Sequence, residues 1–171
     1  MKKDTFKSPD YFNIDSLLTE EQILVRESVR EWVKDNVSPI IEDAALESKF
    51  PKNLVKDLGE IGGFGGFLPS KYGGSEIDFT SYGLMMQELE RGDSSLRVLS
   101  SVQTLVMNTI YKFGSEEQKL KYLKKLASGE MVGSFGMSEP NHGSDPYSMK
   151  TRFQEKEDSY IVNGSKMWIG H

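Results

Sequence analysis

Apolar residues in the first three quarters of the chain recur every three or four positions, the spacing of helices that bury one face. Thr19 with Gln22 makes a capping-box signature, and Ile23, Val29, Trp32 and Val33 continue the pattern until Ser38-Pro39 ends it. A short helix is predicted from Pro51 through Leu54, Val55, Leu58 and Ile61, dissolving in Gly62-Gly63-Phe64-Gly65-Gly66. Asp78 is placed to cap a helix carrying Met85, Met86 and Leu89. Leu99, Val102, Val106, Ile110 and Phe113 define one face of a longer helix. Ser115 with Gln118 is a second capping-box signature, with Glu116 and Glu117 at the positive end of its helix and Lys119, Lys121, Lys124 and Lys125 towards the negative end. That helix is expected to stop before Ser128-Gly129.

Beyond Gly129 the period changes. Residues 131–137, 151–155 and 159–169 read as extended, and residues 138–148 are dense in turn formers. Asn163-Gly164 predicts a type I′ hairpin, because both positions tolerate positive φ, and pairing across it would put Ile161 and Trp168 on one face. The expected fold class is therefore α+β: a polar arm over residues 1–18, an all-α helical domain over 19–129 and the start of an antiparallel β-domain over 130–171. A hairpin so near the last residue leaves the sheet few strands with which to bury its faces, so this β-domain reads as unfinished.

Composition narrows the function. With 171 residues the chain can hold one domain and the beginning of another. It has no apolar run near the roughly 18 residues of a membrane span, and residues 1–10 resemble neither a secretory signal nor an Arg-rich transit peptide. A net charge of -5 gives no general attraction to nucleic acid or to an anionic membrane. No cysteine is present, which removes disulfides, thiol nucleophiles and thiolate metal sites, and His142 and His171 lack companions for a metal. A cytoplasmic protein without metal is expected, or one of the mitochondrial matrix had a transit peptide been removed.

Chemistry concentrates in Ser134-Phe135-Gly136-Met137-Ser138-Glu139-Pro140-Asn141-His142-Gly143-Ser144-Asp145. Glycines and hydroxyls let such a loop approach a phosphate or a flat ring closely, though an ordinary connection has the same composition. Glu139 and Asp145 read as bonding the loop backbone, and His142 as a solvated loop histidine. Trp168 by itself reads as a hairpin core anchor, and Arg97 as a solvated helix residue. The cluster from Gly62 to Gly66 spells no dinucleotide fingerprint and reads as a turn.

The order aromatic, two residues, Ser, Glu-Pro, two residues, Gly-Ser-Asp is similar to the flavin-binding signature of acyl-CoA dehydrogenases. Asn163-Gly164-Ser165-Lys166-Met167-Trp168-Ile169 resembles that family's second flavin motif, and Gly114-Ser115-Glu116-Glu117-Gln118-Lys119 with Tyr122-Leu123 resembles the helix leading to the flavin domain. The resemblance covers nearly the whole chain from Thr19. It implies FAD as cofactor, with Phe135, Met137, Ser138, Gly143, Ser144, Trp168, Ile169 and Gly170 beside it and Ser144 also near the acyl-CoA. Gly170 stands where the family commonly has Thr. Glu88-Leu89-Glu90-Arg91-Gly92-Asp93-Ser94-Ser95-Leu96-Arg97 with Ser101-Val102-Gln103 resembles glutaryl-CoA dehydrogenases, which implies Arg97 and Val98 at the acyl end and Arg97 on a distal carboxylate. A polar residue is expected where Val98 stands.

The implied activity is α,β-dehydrogenation of an acyl-CoA thioester, with electron-transfer flavoprotein as acceptor and a homotetrameric parent. The family's base is a glutamate of its C-terminal helical bundle, which this sequence lacks, so no catalytic residue is assigned and the 171 residues alone are expected to be inactive. An acyl-CoA oxidase shares much of the motif. A non-catalytic helical module binding acyl-CoA or a partner is the reading from another class.

Overall fold

A computed structural model describes residues 9–170, so Met1 to Ser8 of the expected arm and His171 lie outside the described residues. The chain divides into two compact units, Met1–Gly133 and Ser134–His171.

The first unit is helical. Its elements are α1 (Glu20–Trp32), α2 (Ile41–Leu46), α3 (Asn53–Glu60), α4 (Phe79–Gly92), α5 (Ser94–Phe113) and α6 (Glu116–Ala127). Both capping boxes form, at Thr19 and at Ser115, and Asp78 accepts from the Thr80 and Ser81 N–H groups to start α4. A single π-helical turn over Val33–Val37 prolongs α1 and buries both Val33 and Val37. Asn53 opens α3, two residues beyond the expected start; Pro51 lies outside it and accepts the Leu54 N–H through its carbonyl.

α1 packs on α4, α4 on α5 and α5 on α6, around a core that includes Val29, Leu58, Phe64, Leu89, Leu99, Met107 and Leu123. The buried face of α5 is rotated from the apolar stripe in the sequence. Leu96, Leu99, Ser100, Gln103, Thr104 and Met107 are buried, whereas Phe113 is 84% exposed. The rotation follows from the glycine loop, which carries backbone polar groups into the core that need partners. The Ser100 hydroxyl donates to the Gly63 carbonyl, and Thr104 Oγ1 accepts the Gly65 N–H at 2.9 Å. Gly65 itself sits at φ +62°, a conformation that strains any side chain, and a Cβ there would displace Met107 Cε, 2.4 Å away.

At the start of α6, Glu116 accepts from Tyr72 Oη at 2.9 Å, Lys71 Nζ at 3.1 Å and Lys119 Nζ at 3.2 Å. Tyr72, then the two lysines, hold its carboxyl down at about 2, against 4.5 for an unperturbed glutamate. A folded-state pKa below the unfolded one means that the contribution is complete above about pH 4.5 and is lost as the pH falls through about 2. An NMR titration of the Glu116 carboxyl is expected to show this low midpoint, and Tyr72→Phe is expected to raise it. An unshifted midpoint in the wild-type chain would show that the solvated carboxylate does not hold these bonds.

In the second unit, β1 (Arg152–Lys156) pairs antiparallel with β2 (Ser159–Asn163), in the register Arg152↔Asn163 to Lys156↔Ser159. The turn is Glu157-Asp158, not Asn163-Gly164, and neither turn residue has positive φ, so it is not the predicted type I′ turn. Ile161 pairs with Gln154, and Trp168 lies beyond the ladder. Gly164 serves a close approach instead: a Cβ there would lie 2.7 Å from Thr151 Cα, across the base of the hairpin. Residues 131–137, expected as a strand, form none among the described residues. Strand formation needs a second chain segment in register, and the one ladder among the described residues joins β1 to β2.

Candidate functional site

The second unit is organised around a carboxylate in place of an apolar core. Glu139 is 6% exposed, while every residue of both strands is exposed. Its Oε2 accepts the Lys150 N–H at 2.7 Å, and its Oε1 accepts the Thr151 N–H at 2.9 Å and Lys166 Nζ at 3.1 Å. Glu139 and His142 also exchange both backbone hydrogen bonds, closing the Pro140-Asn141 turn. The Thr151 hydroxyl beside the carboxylate contributes most to holding the Glu139 carboxyl far below the usual glutamate range, although it falls short of regular hydrogen-bond geometry. The two N–H groups and Lys166 act in the same direction, and burial opposes them. Glu139 is thus an ionised staple of the loop at neutral pH. Asp145, expected in a similar role, makes no side-chain cap to the turn Pro146–Ser148 that follows it.

Lys166 brings the two motifs together. All three ammonium protons find acceptors: the Met137 carbonyl at 2.9 Å, Glu139 Oε1 at 3.1 Å and Met149 Sδ at 3.3 Å. Next to it the Met167 N–H donates to the Ser138 carbonyl at 2.9 Å, and the Ser134 hydroxyl donates to the Gly170 carbonyl at 3.0 Å. Residues 134–138 and 167–170 therefore run side by side, tied at both ends.

Trp168 lies between these ties, with φ at 62° and its side chain 89% exposed. The left-handed region costs a bulky side chain on the order of 1 kcal/mol or more. Phe135, Met137, Met167 and Ile169 are exposed with it, and nothing lies within 4 Å of a Cβ built on Gly143 or Gly170. Ser138 is half-buried and Ser144 exposed. Flat rings, backbone free of obstruction and hydroxyls are thus gathered on one small unit, which is what a planar heteroaromatic ligand with polar edges needs. Trp168 does not anchor a hairpin core.

The sequence-predicted residues of the first unit stand apart from this cluster in the chain. Arg97, in the first turns of α5, donates through Nε to Glu90 Oε2 at 2.8 Å and keeps 39% of its side chain exposed; Val98 beside it is exposed. Lys166 and Thr151 received no role from sequence reasoning. The signal for Lys166 is a single cation inside a run of otherwise apolar or small residues, and its partner Glu139 is far away along the chain. Among the described residues no group of three or more His, Asp or Glu could hold a metal ion, and no helix is long and apolar enough to cross a membrane.

Comparison with known proteins accounts for both units. The acyl-CoA dehydrogenase N-terminal domain profile matches residues 19–130, and the acyl-CoA dehydrogenase middle domain profile matches residues 134–171. An acyl-CoA dehydrogenase of Bacillus subtilis (strain 168) is 39% identical over 153 residues, 89% of this chain and 40% of that protein. The structure of a glutaryl-CoA dehydrogenase from Mycobacterium smegmatis in complex with FADH2 superposes with a TM-score of 0.88 at 40% identity, covering 92% of this chain and 41% of that one. A glutaryl-coenzyme A dehydrogenase in complex with glutaryl-CoA gives a TM-score of 0.84 at 36% identity, over 89% of this chain and 40% of that one. This chain spans about 40% of the length of the relatives it matches. With family profiles matching nearly all of its described length and the same helical fold, the chain belongs to the acyl-CoA dehydrogenase family.

Proposed function

We propose that this chain supplies the flavin-facing and acyl-facing surfaces of an FAD-dependent acyl-CoA dehydrogenase acting on glutaryl-CoA or a similar dicarboxylic thioester. The observation that carries the reading is the joining of the two flavin motifs by Lys166 and by the Met167–Ser138 and Ser134–Gly170 hydrogen bonds. Trp168, Phe135 and Met137 would offer apolar surface to the ring system, with Ile169 beside them. Ser138 and Ser144 would bond its polar edges, and Gly143 and Gly170 would allow close approach. When bound, FAD would supply a two-electron acceptor for the hydride leaving the substrate β-carbon.

Arg97 fits the distal carboxylate because its fork has further N–H groups beyond the one given to Glu90, and a guanidinium stays charged at any working pH. Val98 would contact the acyl chain, and Ser144 would lie near the acyl-CoA. The acceptor of the α-proton is not assigned to Glu139 or Glu88. A general base works best with a pKa near the operating pH, and both carboxyls are held below the usual glutamate range by their partners. Electron-transfer flavoprotein as acceptor, a homotetrameric whole protein and a cytoplasmic location complete the proposal.

The test is to add FAD to the purified chain, remove free cofactor, record the spectrum and titrate glutaryl-CoA without oxygen. Retained flavin with a perturbed but unbleached spectrum is expected. Arg97→Ala is expected to weaken glutaryl-CoA binding by about tenfold, the worth of one charge-assisted bond, and to leave butyryl-CoA binding unchanged. Failure to hold flavin would overturn the flavin site of this chain, and bleaching would reveal a base among its residues.

A further inference from the structure

Trp168 raises a physical question of its own. A bulky residue at positive φ, with its ring turned out to solvent, is not a conformation that the chain adopts for its own stability. Something must hold it, and the holding groups can be read off. On one side, Met167 is bonded to Ser138 and Lys166 is bonded to Met137, Glu139 and Met149. On the other, Gly170 is bonded to Ser134. The strongest of these ties is the ion pair, because its carboxylate is nearly buried and is itself fixed by the Lys150 and Thr151 N–H groups.

We infer that Glu139 and Lys166 are positioning residues: together they form a clasp that sets the backbone of residues 166–170 against residues 134–139 and so presents the Trp168 ring as a preformed platform. Neither needs to touch the ligand. The inference rests on the flavin reading above, but the clasp is a property of the chain itself and can be measured before any cofactor is added.

Three features of the arrangement fit a positioning device better than a stabilising pair. The cluster lies in a unit with almost no buried apolar side chain, where an ion pair is the main means of fixing geometry. Lys166 bonds to the carbonyl of Met137 as well as to Glu139, so one side chain sets two points of the facing segment. Glu139 is anchored by residues 150 and 151, and Gly164 packs against Thr151, so the base of the β-hairpin is fixed to the same carboxylate. Preorganisation of this kind lowers the cost of binding because the ordering is done before the ligand arrives.

The test uses Lys166→Met, which keeps the stem and removes the charge, Lys166→Arg, which can still donate to both oxygen acceptors, and Glu139→Gln. In the apo chain, Lys166→Met is expected to speed hydrogen exchange of the Met167 amide by about tenfold and to loosen the Trp168 indole in NMR relaxation, with the Leu123 amide of α6 unchanged. FAD affinity is expected to fall by about tenfold, with a broadened flavin absorption band, and Lys166→Arg is expected to recover most of both. Glu139→Gln should reproduce the loss, and the double variant should be little worse than either single one. A Trp168 signal and FAD affinity unaltered in Lys166→Met would overturn the clasp, as would additive losses in the double variant. If the wild-type chain holds no FAD, the flavin reading fails by itself; the apo exchange and the indole relaxation still decide the clasp.

Discussion

Glu88→Gln is expected to lower the unfolding free energy by about 3 kcal/mol, the lower end of the cost of breaking a buried ion pair from one side. Glu88 is 1% exposed in the middle of α4. Its Oε1 accepts from Arg30 Nη2 at 2.7 Å, and its Oε2 accepts from Arg91 Nε at 2.8 Å and Arg30 Nε at 3.1 Å. Burial alone would raise its pKa, but Arg30 and Arg91 together outweigh it and the carboxyl stays below the usual range. The amide keeps the shape and loses the charge, removing the carboxylate that Arg30 and Arg91 share at the α1–α4 contact. Arg30 retains Glu27, which is why the lower end applies.

Urea unfolding at neutral pH measures the loss, and Glu31→Gln, at an exposed glutamate of α1, serves as the control with no measurable change. Because the folded-state pKa of Glu88 is depressed, its contribution is complete above about pH 4.5 and is lost as the pH falls through the depressed value. The gap between wild type and variant should therefore narrow on acidification. A gap that is small at neutral pH would mean that the arginines relax into solvent and that the carboxylate only repays its own burial.

The features legible in the sequence are those decided by neighbours along the chain. The capping boxes at Thr19 and Ser115 and the Asp78 cap each need residues at most three apart, and all form. The features that escaped are decided by partners far away. Asn163-Gly164 has the composition of a primed turn, yet Gly164 is used for contact with Thr151, a residue that the local pattern cannot reveal. The face of α5 turned because Ser100, Gln103 and Thr104 pair with backbone groups of a loop and an exit segment, so polarity no longer marked the solvent side. Glu88 was visible only as one acid within a charged run. The flavin motifs were legible by resemblance, and the contact between them was not, since it rests on Lys166 reaching back 27 residues to Glu139.

Gln103→Leu is expected to cost about 3 kcal/mol, because it fills the same space and strips buried backbone groups of their partners, each worth roughly 1–3 kcal/mol when left unsatisfied. Gln103 is fully buried on α5. Its Nε2 donates to the Leu126 carbonyl at 2.8 Å and the Met131 carbonyl at 2.7 Å, and its Oε1 accepts the Gly133 N–H at 2.7 Å. One side chain thus closes the end of α6 and fixes the segment that leaves the helical unit. Exposure of Met131 lets part of the stripped backbone find water, so the loss stays well below the sum of three groups. Gln103→Glu separates hydrogen bonding from packing, since the ionised carboxylate has no proton to give and would face two carbonyl oxygens. Its folded-state pKa should rise, so the variant should be least impaired below about pH 4.5, where the protonated acid still donates once, and should lose stability as the pH rises through the unfolded value. A negligible loss for the Leu variant, with no pH dependence in the Glu variant, would show that the site tolerates missing donors and that the side chain acts only by filling space.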